Sequence, residues 1–395
     1  MKKFENILKA LCTLLFTRHP SQFFTRHPSL VTLFPLLLFL FGINPAYSEK
    51  PPEFQAALPG WKFKFPRDHR VHRPFKTEWW YYNGHLKDPE GNGYGYQVTF
   101  FRVGLVPGRL PPKGSRWRLG EVYLAHMAVT DIRNKTFLYQ EKAGRGNLGL
   151  AGADETKYRV WLETWKVEEE GQQQRLIAGD EDLFLDLTVR PTRPPVIHGA
   201  LGVSQKGAGP GQASHYYSLT RLETKGLIKL KGKEIPVTGI SWMDHEFGSN
   251  QLAETQVGWD WFSVQLDDGM DLMIYQLRQA DGRADPNSSG TLVRPDSRTI
   301  HLPWSEIKLR PLSFWKSARS GATYPASWEI DLSSYDLKLS IIPLVADQEL
   351  MTPRSTRVTY WEGAVKVKGT HKGRSVEGKG YLEMTGYDQR FRPKI

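Results

Sequence analysis

Apolar and polar positions alternate along this chain in short runs, and the runs predict strands. Leu183 to Val189 (LFLDLTV) puts Leu183, Leu185, Leu187 and Val189 on one side, with Pro191 to stop it. Tyr94 to Arg102 (YGYQVTFFR) does the same with Tyr94, Tyr96, Val98 and Phe100. It returns from the aromatic run Thr77 to Leu86 (TEWWYYNGHL) across the turn residues Asp88 to Gly93, which predicts a hairpin. Val122 to Ile132, Tyr216 to Leu222 and Leu227 to Leu230 continue the pattern. Trp259 to Leu266 and Met270 to Arg278 flank Asp267-Asp268-Gly269, a tight-hairpin signal. Trp328 to Leu332, Leu337 to Ile341, Tyr360 to Lys368 and Val376 to Met384 supply further strands. No long 3.6-residue period interrupts them. The expected class is all-β, built as antiparallel barrels or sandwiches.

The stretch from Val237 to Gly269 concentrates the chemistry. Trp242, Asp244, His245 and Glu246 are followed at once by Trp259, Asp260, Trp261 and Phe262. In an extended segment, Trp242, Asp244 and Glu246 share one face, and Met243, His245 and Phe247 the other. Asp244 then lies beside a large apolar ring, where loss of water raises a carboxyl pKa and makes it a candidate proton donor. A paired, structural carboxylate at a strand end is the competing reading. VTGISWMD (Val237 to Asp244) also lines up with VEGKGYLE (Val376 to Glu383). That match suggests two related barrels in tandem, residues 49–248 and 249–395. It sets Glu383 at the position equivalent to Asp244, with no part in the chemistry.

Composition adds compartment and partners. Thirteen Trp, 16 Tyr and 19 Phe suit strands and an aromatic pocket. At the N-terminus, Lys2, Lys3 and Lys9 precede the apolar run Leu30 to Ile43, and Ala46 and Ser48 offer a small-residue site. Residues 1–48 therefore resemble a secretory signal peptide cut near Ser48, which implies a periplasmic or secreted protein. An uncleaved anchor is the runner-up, but Pro35 interrupts the run and it is short for a span. FTRHPS occurs twice in the leader and reads as a small duplication. The only cysteine, Cys12, falls in the leader, so the rest of the chain makes no disulfide. The net charge of +11 admits peripheral contact with an anionic membrane surface. The basic residues are scattered and form no nucleic-acid module, which argues against nucleic acid.

Trp80 and Tyr82, with Trp242, Trp259 and Trp261, are the candidate ligand-binding aromatics; plain core is the alternative for the Trp79 to Tyr82 run. Glu78 and Asp260, each beside Trp, are second-tier carboxylates, Glu78 the better of the two. His85, His126 and His215 read as satisfied core histidines. With His245 they lack any metal-ligand spacing, so no metal and no cofactor are expected. Ser241 and Ser214 lack a nucleophile-elbow setting, which leaves hydrolysis without a recognisable nucleophile. Gly91 to Gly93 and Gly207 to Gly211 are turns with no context for phosphate.

The motifs TEWWYYNGHL, GYGYQVTFFR, LAHMAVTD, SHYYSLTR, SWMDHEFG, GWDWFSVQLDDG, YPASWEI, YWEGAVKV and GYLEMTGY resemble the AttH-like family. That family is related to the carotenoid 1,2-hydratases, also called hydroxyneurosporene synthases. The resemblance runs from about Pro66 to Tyr387 and implies two lipocalin-like antiparallel β-barrel domains. In the hydratase branch, water adds to a terminal double bond of an acyclic carotenoid without a cofactor. The resemblance then implies Asp244 as proton donor, with His245 or Glu246 orienting water and the indoles facing a carbocation. The expected partner is a hydrophobic small molecule: a carotenoid, another isoprenoid or a lipid. The second functional class is a non-catalytic carrier or stress protein holding a similar ligand.

Overall fold

The computed structural model describes residues 53–107, 117–250 and 252–392, so the leader lies outside the described residues. Pro51–Ile395 forms one compact unit. Among the described residues the regular structure is antiparallel strand plus three single turns of 3₁₀ helix. The first sheet contains β1 (Thr77–Lys87), β2 (Gly93–Gly104), β3 (Glu121–Asp131), β4 (Thr136–Arg145), β5 (Ala151–Ala153), β6 (Arg159–Leu162) and β7 (Trp165–Glu170). It continues with β8 (Gln173–Gly179), β9 (Leu183–Pro191), β10 (Val196–Ile197), β11 (Ser204–Gln205), β12 (Ala213–Leu230) and β13 (Lys233–Gly248). The spatial order is β4-β3-β2-β1-β13-β12-β9-β8-β7-β6-β5, with β10 and β11 added on β12. Its two ends approach each other: Lys142 on β4 pairs with Glu163 at 2.6 Å, and a Cβ on Gly144 would lie 2.4 Å from Leu162. A side chain there would have to displace the end of Leu162.

The second sheet contains β14 (Gln256–Leu266), β15 (Asp271–Gln279), β16 (Ser289–Val293), β17 (Thr299–Pro303) and β18 (Lys308–Lys316). Then come β19 (Thr323–Leu332), β20 (Leu337–Pro343), β21 (Glu349–Met351), β22 (Thr359–His371) and β23 (Arg374–Thr385). Its order is β17-β16-β15-β14-β23-β22-β20-β19-β18, with β21 on β22. One sheet is a nearly closed barrel and the other a half-barrel. The expected all-β class with antiparallel barrels holds. The chain passes from one sheet to the other between Gly248 and Gln256.

Alternation decides what each strand face touches. Tyr94, Tyr96, Val98 and Phe100 on β2 point with Leu183, Leu185, Leu187 and Val189 on β9 into the core of the first sheet. Phe262, Val264, Leu272, Ile330 and Leu339 fill the second core. A third cluster lies between the sheets: Tyr81, Tyr216 and Trp242 from the first meet Trp261, Tyr275 and Tyr381 from the second. The sheets come close where Gly95 on β2 faces Ala364 on β22, since a Cβ on Gly95 would sit 2.6 Å from that of Ala364. β12 is one strand where two short runs are expected, and a bulge within it separates Leu219 from Leu222. The bulge turns Thr220 and Arg221 across to the second sheet, where both bond Asp271 at 2.8 Å.

Candidate active site

Strand β13 runs regularly from Lys233 to Gly248, so its side chains divide between two environments as alternation requires. Met243 enters the first core, while Trp242 joins the cluster between the sheets. Asp244 and Glu246 line a cavity of about 390 Å³ there, of a size suited to one small organic molecule. Trp79, Tyr81 and Phe101 cover the side made by the first sheet. Trp259, Trp261, Tyr275 and Tyr360 cover the side made by the second. Two further carboxyls, Glu362 and Glu383, complete the wall. They are direct cross-strand partners on β22 and β23.

Both Asp244 oxygens are held. Trp242 Nε1 donates to Oδ1 at 2.6 Å, Ser218 donates to the same oxygen, and the Tyr216 hydroxyl donates to Oδ2 at 2.6 Å. Burial pushes the Asp244 pKa up to about 7 against the pull of these three bonds, and the Glu246 charge pushes the same way. Burial likewise lifts Glu383 to about 7, helped by the negative charges of Asp244 and Glu246 and opposed by the Trp259 indole. Burial and the facing Glu383 raise Glu362 well above the usual carboxylate range. Glu246 is held differently. It accepts from Ser214 and pairs with Lys206 Nζ at 3.3 Å. Burial disfavours the Lys206 charge, yet Glu246 and Tyr275 keep its pKa raised; its ammonium lies 3.7 Å from the Tyr275 ring centre.

The structure separates the sequence candidates. Asp244, Glu246, Trp259 and Trp261 reach the cavity, and Trp242 stands behind Asp244 as its hydrogen-bond donor. Trp80 and Tyr82 do not: they are buried in the first core, one residue out of phase with Trp79 and Tyr81, which do reach it. His245 is also on the far face. Its Nε2 contacts Glu78 Oε1 at 2.9 Å, its Nδ1 contacts the Tyr217 hydroxyl at 3.1 Å, and its ring stacks on Trp80. The expectation that His245 orients water at Asp244 is therefore corrected. Glu78 borders the cavity, but its carboxylate is committed to His72 and His245. Asp260 faces away, toward Tyr387 and Arg278.

The eight-residue match misled in one respect. Glu383, on β23 of the second sheet, lines the same cavity as Asp244. Tyr216, Lys206 and Glu362 were missed as well. Spacing alone does not bring them in; the packing of β12, β22 and the loop after β11 against β13 and β14 does. Among the described histidines, His85 contacts Gly380 O, His126 contacts Tyr360 and Ser355, and His215 contacts Gly202 O, so none of them joins His245. His72, Glu78 and His245 do bring donor atoms within 4.8 Å of one another. Both rings meet the same Glu78 oxygen, however, and the Arg102 guanidinium stands 3.6 Å from the other one. That charge and those satisfied bonds fit a buried ion-pair network better than a cation site.

The AttH-like family model matches residues 56–387. The chain belongs to the AttH-like family. A crystal structure of an AttH protein from Nitrosomonas europaea shares its fold at a TM-score of 0.76 and 34% identity, covering 84% of this chain and 99% of that one. Two curated relatives of this AttH-like chain bear names that speak of water chemistry. Kievitone hydratase of Fusarium solani subsp. phaseoli is 26% identical over 219 residues, 54% of this chain and 59% of that protein. Dehydratase asqC of Emericella nidulans is 24% identical over 221 residues, 53% of this chain and 60% of that protein. The matched stretch thus spans under two thirds of each curated relative.

Proposed function

We propose that this AttH-like protein adds water to, or removes it from, a carbon–carbon double bond of an apolar small molecule, without a cofactor. The observation that carries the reading is Asp244: a carboxyl with a pKa of about 7 at the wall of an aromatic cavity. A group poised near neutrality both holds and releases a proton at working pH. The family and the hydratase and dehydratase relatives support the same class of chemistry.

The geometry supports one route for the proton. Trp242 and Ser218 occupy one Asp244 oxygen, so the acidic proton sits on Oδ2, toward Tyr216. The Tyr216 oxygen also accepts the Trp261 indole N–H at 3.0 Å. With protonated Asp244 donating to it as well, the Tyr216 hydroxyl turns its own hydrogen to the ligand. The proton reaches the alkene through Tyr216 and is replaced from Asp244. The faces of Trp79, Trp259 and Trp261 then stabilise the developing carbocation.

The test is isotope incorporation from ¹⁸O-water with kievitone and acyclic polyenes as probes. Wild type should incorporate label into one of these classes, and Asp244→Asn should lose about 10²- to 10⁴-fold in rate with binding retained. Stoichiometric binding without incorporation in any class would replace this reading with that of a non-catalytic carrier. We propose a periplasmic or secreted location, checked by N-terminal sequencing of protein from the native host. Its expected start is Glu49, and a start at Met1 would overturn the cleaved leader.

A further inference from the structure

We propose that Glu383 and Glu362 are the water-activating half of this site: Glu383 is the general base, and Glu362 is a neutral carboxyl that holds it in place. The inference rests on the hydration reading above and adds what that reading lacks, an acceptor for the proton of the attacking water.

Three observations place the pair in the chemistry. Glu362 and Glu383 are cross-strand partners on β22 and β23, a register that puts Cβ atoms about 5 Å apart on one face. Both carboxyls line the cavity whose opposite wall carries Asp244. Glu362 is 2% exposed, and its Oε1 makes no well-formed hydrogen bond among the described residues, although the Tyr81 and Tyr360 hydroxyls stand beside the carboxyl. A buried polar atom left unpaired costs free energy, and native structures tolerate it mainly where a ligand or solvent molecule completes the set.

The surroundings divide the labour between the two carboxyls. From the first sheet, Asp244 and Glu246 bring negative charge toward Glu383. Lys206 is committed to Glu246, and Arg102 to Glu121 and Glu78. His126 is held neutral by burial, which lowers its pKa to about 3, and it bonds Tyr360. Tyr81 and Tyr360 flank Glu362 with neutral hydroxyls. Two carboxyls this close cannot both ionise at low cost. Glu362 keeps its proton, since burial and Glu383 raise its pKa furthest. Glu383 ionises near neutrality, with the Trp259 indole favouring its anion.

The step balances as follows. A proton passes from Asp244 through Tyr216 to one alkene carbon, and the π electrons form the new C–H bond. Water then gives a lone pair to the adjacent cationic carbon and a proton to the Glu383 carboxylate. The net change is one alcohol formed, Asp244 ionised and Glu383 protonated. Proton exchange with solvent resets both. Dehydration runs the same steps backward.

The experiment has two arms. Carboxyl carbon NMR of the unliganded full chain, with ¹³C-labelled Glu assigned through Glu362→Gln and Glu383→Gln, should show Glu362 protonated above neutrality and Glu383 titrating near 7. In Glu383→Gln the Glu362 titration should move to lower pH, because the charge that faces it is gone. Ionised Glu362 at neutral pH overturns the pair whatever the substrate. In the ¹⁸O assay, Glu383→Gln should lower kcat at least 100-fold with KM within about threefold, and its residual rate should lose the acidic limb of the pH profile. Full activity of Glu383→Gln beside an inactive Asp244→Asn overturns the inference and leaves the hydration reading standing. If wild type turns over no probe, the hydration reading fails, and with it the base role.

Discussion

Trp261, on the second sheet, donates its indole N–H to the Tyr216 hydroxyl of the first at 3.0 Å, and that hydroxyl in turn donates to Asp244. The acid of the site is therefore oriented by a residue beyond the passage between the sheets. Tyr216→Phe removes the proton path and keeps the ring, so kcat should fall about 10²-fold with ligand binding nearly unchanged. Trp261→Phe removes one hydrogen bond worth about 1 kcal/mol and should cost about fivefold. Equal losses in both variants, or none in Tyr216→Phe, would show that Asp244 reaches the ligand without the tyrosine. Steady-state kinetics on the active probe reads this.

Neighbouring tryptophans should behave in opposite ways. Trp80 is fully buried in the first core and bonds His69 O at 3.2 Å, whereas Trp79 lines the cavity. Trp80→Ala should destabilise the fold by about 3–5 kcal/mol in urea denaturation. Trp79→Ala should cost less stability and weaken probe binding. A Trp80→Ala variant with wild-type stability and weakened binding would return Trp80 to the ligand site.

The fold was legible because alternation survives wherever one strand face meets a core. Strands β1, β2, β3, β9, β14, β15, β22 and β23 fall where the pattern puts them. Strand β4 escaped notice, since its residues are half-buried or exposed with no period of two. Strand β18 escaped as a largely exposed edge strand that carries Pro311 and pairs irregularly with β19. Within the site, alternation along β13 separates Asp244 and Glu246 from His245 correctly. It could not choose between the Trp79/Tyr81 and Trp80/Tyr82 faces of β1, because both faces are aromatic and both are covered. Glu362 and Glu383 were hidden for a different reason. Glu362 follows Trp361 and Glu383 matches Asp244 in the eight-residue alignment, but their shared chemistry comes from a sheet more than a hundred residues away.

Behind the cavity, Glu78 joins the loop carrying His72 to β13. Burial alone would raise its pKa, but hydrogen bonds from His245 and His72 and the charge of His72 hold it well below the usual carboxylate range. Glu78→Gln removes one of the two carboxylates beside each of Arg102 and His72, leaving Glu121 and Asp68, and should cost up to about 3–5 kcal/mol at pH 7. The sign of its pH dependence follows from the lowered pKa. The native state holds the anion better than the unfolded chain does, so the stabilisation is present above about pH 4 and fades as pH falls below it. Denaturant melts at pH 7 and pH 3 should show the gap between wild type and Glu78→Gln shrinking at the lower pH. A gap independent of pH would assign the loss to packing alone.

Asp244 should show the opposite dependence, since its pKa is raised on folding. An unfolded aspartate ionises near pH 3.9, whereas native Asp244 keeps its proton to about 7. Between those values the native state binds more protons than the unfolded chain, so stability falls as pH rises and levels off above 7. The full cost is at most about 4 kcal/mol, reduced by relaxation and solvent entry. Asp244→Asn carries no charge at any of these pH values and can still accept from Trp242 and Ser218. It should melt near wild type at pH 4 and progressively above it toward pH 8, while losing turnover. Thermal denaturation of both proteins across pH 4 to 8 measures the difference. A wild type that gains stability over that range relative to Asp244→Asn would mean that Asp244 is an ordinary ionised carboxylate, and it would remove the acid from the proposed reaction.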